Sequence, residues 1–140
     1  MIERGRDRSL SAIFLTFSGN CKKALTFYQN CFGGLLQFET FGKELEGFSE
    51  LPVVNGLLIS DRIIIHGSDL VHNEGRKLGN YISVFLPCES IFERNSLIEK
   101  LGFDKEDFLS KDCTSQKLIE IIDPFDVRWM LGVQEAKIIV

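Results

Sequence analysis

Two histidines, His66 and His72, are the only side chains whose ordinary pKa lies near neutrality, so acid–base chemistry at physiological pH would start from them. His66 sits in the alternating apolar segment Ile63 to Ser68 and reads as a packed or rim histidine, or else as a base. His72 stands beside Asn73 and Glu74 in a polar stretch and reads as a solvated loop residue. With Asp69 and Glu74 these histidines could in principle hold a metal ion, but their spacing matches no standard ligand signature and the ion would have to order the loop. Cys21 falls at the expected N-terminus of a helix, where the positive end of the dipole favours a thiolate. It also opens that helix's apolar stripe, which argues for packing instead.

Composition narrows the classes. The 140 residues, 44% of them hydrophobic, fit one compact domain or two small modules sharing a core. Sixteen Lys and Arg against twenty Asp and Glu leave a net charge of −4, which supplies no field for a nucleic-acid backbone. Apolar runs such as Ile63-Ile64-Ile65 fall far short of the ~20 residues that span a bilayer. Residues 1–10 are charged, lack an apolar signal region and read as a frayed leader of a cytoplasmic protein. Four cysteines without a Cys-x-x-Cys pair read as free thiols of a reducing compartment. Cys21 and Cys31, ten residues apart on one expected helix, would lie roughly 15 Å apart and cannot bridge.

The elements that position these residues follow from periodicity. Residues 12–18 alternate as a strand, with Ile13, Leu15 and Phe17 on one side and Phe14 and Thr16 on the other. Asn20 is the expected cap of a helix whose stripe is Cys21, Ala24, Leu25, Tyr28 and Phe32, and Gly33-Gly34 ends it. A strand from Leu35 to Phe41 and a Gly- and Glu-rich loop follow. Val53 to Ile59 and Ile63 to Ser68 then form a hairpin around Ser60-Asp61-Arg62. The order recurs with an expected strand from Tyr81 to Leu86, a capping box at Ser90-Ile91-Phe92-Glu93 and a helix ending at Gly102. A short strand near Phe108 and a hairpin of Lys117 to Ile122 with Val127 to Val133 complete it. The expected organisation is a leader at 1–10, modules at 11–69 and 80–133, a joint at 70–79 and a tail at 134–140, all in one structural domain. Each module alone is too small to cover its sheet, so the two should share a core.

Several segments together carry a resemblance: Leu15-Thr16-Phe17-Ser18-Gly19-Asn20-Cys21 with Ala24, Phe27-Tyr28, Phe32-Gly33-Gly34, Ile82-Ser83-Val84 with Cys88-Glu89, and Asp123-Pro124-Phe125-Asp126-Val127-Arg128-Trp129-Met130. Over residues 11–133 the chain resembles the vicinal oxygen chelate superfamily of glyoxalases, bleomycin-resistance proteins and extradiol dioxygenases, in particular its PhnB-like branch. The resemblance implies an α+β fold of paired βαβββ modules, a curled, cup-shaped mixed sheet with helices outside, and a homodimer. Its metal-ligand positions fall on Ala12, Ile65, Tyr81 and Met130, of which the first three are not usual ligands and the last offers only a thioether. No cofactor is therefore expected.

Alternation would line the cup with Phe14 and Thr16, with Tyr81, Ser83 and Phe85, and with Arg128 and Met130, while Asn55 stands where family members often carry His. Such a lining suits a small molecule, with Arg128 meeting an anionic or polar group. The same aromatic residues could instead fill the cup themselves or meet a dimer partner. The expected function is a metal-free small-molecule-binding protein; the alternative is a metal-dependent lyase or dioxygenase with a non-standard ligand set. A methyltransferase, the label often attached to the branch, has no support, because no Gly-rich nucleotide loop follows a strand.

Overall fold

The computed structural model describes residues 11–42, 51–69, 76–102 and 117–133, in two compact units, Met1–Arg76 and Lys77–Val140. His72, Glu74, Cys113, the strand expected near Phe108, the leader and the tail lie outside the described residues.

The first unit runs β1 (Ile13–Phe17), α1 (Cys21–Phe32), β2 (Leu35–Thr40), β3 (Val53–Ile59) and β4 (Ile64–Asp69). Its strand order is β1-β4-β3-β2, with β1 parallel to β4 and the other pairs antiparallel. The parallel pair is possible because α1, β2 and β3 all lie in the connection between its members. α1 packs on β2, β3 and β4 through Cys21, Ala24, Leu25, Tyr28 and Cys31, all buried. Phe32, expected in that stripe, is only half-buried, and Cys31 takes its share of the contact.

Two glycines let helix and sheet approach. A Cβ on Gly56 would stand 2.7 Å from Leu25 Cδ1, and one on Gly67 would stand 3.2 Å from Cys21 Sγ. Leu58 and Ile65 share that helix-facing side and are fully buried, which contributes about 1.5–3 kcal/mol per side chain. The helix stops at Gly33 and Gly34, with φ of 77° and 103°, a left-handed path that residues with a Cβ avoid.

Asn20 stands at the N-cap position, yet its side chain makes no capping hydrogen bond. The buried carboxylate of Asp69, from the end of β4, does that work. Its Oδ1 accepts from the backbone N–H of Gly19 at 2.7 Å and of Cys21 at 3.0 Å, while Oδ2 accepts from Val53 N–H at 2.9 Å. A distant acid replaces the local cap because its charge meets both the orphan donors and the helix dipole.

The second unit runs β5 (Val84–Cys88), α2 (Ile91–Leu101), β6 (Leu118–Ile122) and β7 (Arg128–Val133), in the order β5-β7-β6. As in the first unit, the opening strand pairs in parallel with the closing one. β5 was expected to begin at Tyr81 but begins at Val84. Its partner β7 starts at Arg128, with Val84 opposite Trp129, so residues 81 and 82 lie beyond the start of β7 and have no strand to pair with. The capping box forms: Ser90 Oγ accepts from Glu93 N–H at 3.0 Å, and Glu93 Oε1 accepts from Glu89 N–H at 2.8 Å.

Leu86, Cys88, Ile119, Ile121, Trp129 and Leu131 are buried in this unit together with Leu97, Ile98 and Leu101 of α2. At the β6–β7 turn Asp123 is buried; its Oδ1 accepts from Phe125 and Val127 N–H, and its Oδ2 accepts from Trp129 Nε1 at 2.8 Å. Among the described residues no helix is long and apolar enough to cross a membrane. Both units are mixed sheets carrying a helix, the α+β class expected.

Candidate functional site on the helix-free sheet faces

In each sheet the residues between the helix-facing ones point to the other face. On the first sheet, register puts Phe14, His66, Leu57 and Gln37 side by side across β1, β4, β3 and β2. A neighbouring pair, Thr16 and Ser68, adds hydroxyls, and Asn55 lies opposite Glu39. Phe14 is 58% exposed, and its ring lies nearly parallel to the His66 imidazole, 6° between planes and 6.5 Å between centroids.

The phase of β4 differs from the one that the metal-ligand alignment implies. Ile65, aligned with a metal-ligand position facing the cup, is fully buried on the helix side. His66, which that alignment would turn toward the helix, is on the helix-free face with Phe14. A shift of one residue exchanges the two faces of a strand, and the apolar triplet Ile63-Ile64-Ile65 leaves the phase undecided from sequence. Asp69 cannot join His66 in a metal site, because its two oxygens are engaged by three backbone N–H groups.

On the second sheet the corresponding row is Phe85, Met130 and Glu120. Phe85, 48% exposed, lies against Gly132, where a Cβ would meet Phe85 Cε1 at 3.0 Å and Leu118 Cδ1 at 3.2 Å. Beside this row Glu120 Oε2 accepts from Ser83 Oγ at 3.0 Å and from Arg128 Nε at 3.2 Å, and pairs with Arg128 Nη2 at 3.1 Å. The cation expected to meet a ligand is thus already matched by a carboxylate. Glu120 was missed by the sequence reading, although it lies between the buried Ile119 and Ile121, the alternation that marks a residue on the open face.

Four of the expected lining residues, Ser83, Phe85, Arg128 and Met130, therefore share one face of the second unit. Phe14 and Thr16 share the equivalent face of the first, with Asn55 on β3. Tyr81 stands outside the sheet at 86% exposure.

Among the described residues the thiols do not supply a nucleophile. Cys21 is fully buried and its thiol is pushed up to about 12, by burial first and by the Asp69 charge second. Cys31 and Cys88 are also buried. Among the described residues no three His, Cys, Asp or Glu side chains come together as a metal site. The metal positions implied by the resemblance do not fit a metal, with Ile65 in the core, Tyr81 off the sheet, and only a methyl at Ala12 and a thioether at Met130.

No protein-family model matches the chain, and no curated protein does. Solved structures do. The PhnB protein of Bacillus cereus is similar with a TM-score of 0.68 and 20% identity, over 90% of this chain and 100% of that one. Protein PA1353 of Pseudomonas aeruginosa gives 0.67 and 20%, over 91% and 100%. The fosfomycin resistance protein FosX of Listeria monocytogenes, in its complex with Mn(II) and sulfate, gives 0.54 and 19%, over 96% and 94%. These likenesses span both units, and the fold is that of the vicinal oxygen chelate superfamily, as the resemblance implied.

Proposed function

We propose that the protein binds a small molecule, without a metal, on the helix-free faces of its sheets. The observation that carries this reading is the exposure of Phe14 and Phe85 on those faces, each set among hydrogen-bonding side chains. Aromatic surface left open beside a few polar groups is the make-up of a ligand site. A thermal-shift screen of aromatic small molecules tests it, repeated on Phe14→Ala and Phe85→Ala. Compounds that raise the melting temperature of the wild type and lose that effect in either variant are expected. Hits insensitive to both substitutions would refute the placement.

His66 supports a second reading, a metal-dependent lyase or dioxygenase with a non-standard ligand set, since it brings one imidazole to the helix-free face. Stoichiometric manganese, zinc, nickel or iron lost in His66→Ala would make it the leading reading. A homodimer is the proposed assembly, in keeping with the exposed Leu78, Tyr81, Ile82 and Phe92. A mass near one chain in light scattering at all concentrations would sink that. The buried thiols Cys21, Cys31 and Cys88 suit the reducing cytoplasm.

A further inference from the structure

We infer that the Arg128–Glu120 pair makes the second sheet's face selective for an aromatic ligand that carries a hydrogen-bond donor and no negative charge. The inference rests on the small-molecule reading above and names the ligand class. Three observations lead to it.

First, Arg128 is not an anion receptor. Its Nε and Nη2 both meet the same Glu120 oxygen, so an incoming carboxylate or phosphate would face the Glu120 charge as closely as the guanidinium. The attraction expected of a lone arginine is cancelled locally.

Second, Glu120 keeps an unused acceptor. Ser83 and both Arg128 nitrogens converge on Oε2, while Oε1 accepts no hydrogen bond among the described residues. The side chain is 37% exposed, so a ligand can reach the carboxylate from solvent. The three donors on Oε2, together with the pairing of the β6 backbone with β7, hold the carboxylate in place before any ligand arrives. That spares the ligand an ordering cost.

Third, the spacing suits one molecule. Phe85, Met130 and Glu120 lie in register on adjacent strands, so Phe85 and Glu120 are separated by two strand spacings, roughly 10 Å. A bicyclic aromatic body on Phe85 and Met130 would bring a donor on a one-carbon arm to Glu120. Aromatic and thioether surface both favour a flat ring there.

The experiment is calorimetric titration with three probes that share a skeleton: 2-naphthylmethylamine, 2-naphthalenemethanol and 2-naphthoate. The amine and the alcohol are expected to bind the wild type more tightly than naphthoate, the amine by about tenfold or more, the fold-change that a hydrogen bond to a charged group commands. Glu120→Gln, which keeps the shape of an exposed side chain, is expected to weaken the amine about tenfold and to strengthen naphthoate, because Arg128 is then unmatched. Phe85→Ala should weaken all three.

Naphthoate binding as tightly as the amine, or a Glu120→Gln variant that leaves the ratio of their affinities unchanged, would overturn the selectivity while a loss in Phe85→Ala still upheld the small-molecule reading. No binding of any probe to the wild type would overturn both on this face.

Discussion

Replacing Asp69 tests how the first unit is held together. Asp69 Oδ1 and Oδ2 accept from three backbone donors, Gly19, Cys21 and Val53, at 2.7–3.0 Å. Cys21 and Val53 are buried, so in Asp69→Ala water cannot replace the lost acceptor at either. A buried donor left unmade costs about 1–3 kcal/mol. Gly19 is half-buried and can turn to solvent. Loss of the negative charge beside the first turn of α1 adds about 0.3–1 kcal/mol. The expected cost of Asp69→Ala is therefore about 2–7 kcal/mol, a large share of the ~5–15 kcal/mol that a domain has. In Asp69→Asn the side-chain oxygen still serves Gly19 and Cys21, but an NH2 faces the Val53 N–H, donor against donor, for about 1–3 kcal/mol. Urea unfolding followed by far-UV circular dichroism should rank wild type above Asp69→Asn above Asp69→Ala. Amide exchange should accelerate at Val53 in both variants and at Cys21 chiefly in the alanine variant. An alanine variant within about 0.5 kcal/mol of wild type would refute the assignment of Asp69 as the cap.

The Cys21 thiol, raised to about 12 in the fold, ionises near its ordinary value of 9.0 once unfolded. The unfolded state then binds fewer protons between those values, so stability should fall as pH rises from about 9 toward 12, by up to about 1.4 kcal/mol per pH unit. Cys21→Ala should lose that slope in urea titrations, and a thiol reagent at pH 8 should leave native Cys21 unmodified. Gly33→Ala is expected to cost about 1–3 kcal/mol through its left-handed φ alone. Gly34→Ala should cost more, because its Cβ would also collide with the carbonyl oxygen of Ile59; equal melting temperatures for the two variants would contradict this. Asp123→Ala should lower the melting temperature and red-shift the emission of the one tryptophan, since Trp129 Nε1 loses its buried acceptor.

Local pattern made most of the fold legible. The Ser90 box and the glycine pair after α1 are short-range chemistry, and their hydrogen bonds and dihedral angles are those expected. Repetition of strand, helix and hairpin carried the paired architecture. Half of the candidate site was legible for the same reason: Phe14 with Thr16, and Phe85 with Met130, follow from alternation along well-bounded strands. The expected start of β5 at Tyr81 failed because strand ends depend on a partner, and β7 begins only at Arg128. The metal-ligand alignment at Ile65 failed on strand phase, which pairing with β1 and β3 settles.

The amino-acid sequence by itself determined the class of the fold, the helix that ends at Gly33, and the aromatic character of the residues between the core positions. These depend on contacts within a few residues along the chain. Only the tertiary structure decided that Asp69, not Asn20, caps α1, that His66 rather than Ile65 shares a face with Phe14, and that Arg128 is matched by Glu120. Each of those is a meeting of segments far apart in sequence or on neighbouring strands, governed by register, and register is set by how a whole sheet buries its apolar face rather than by any local pattern.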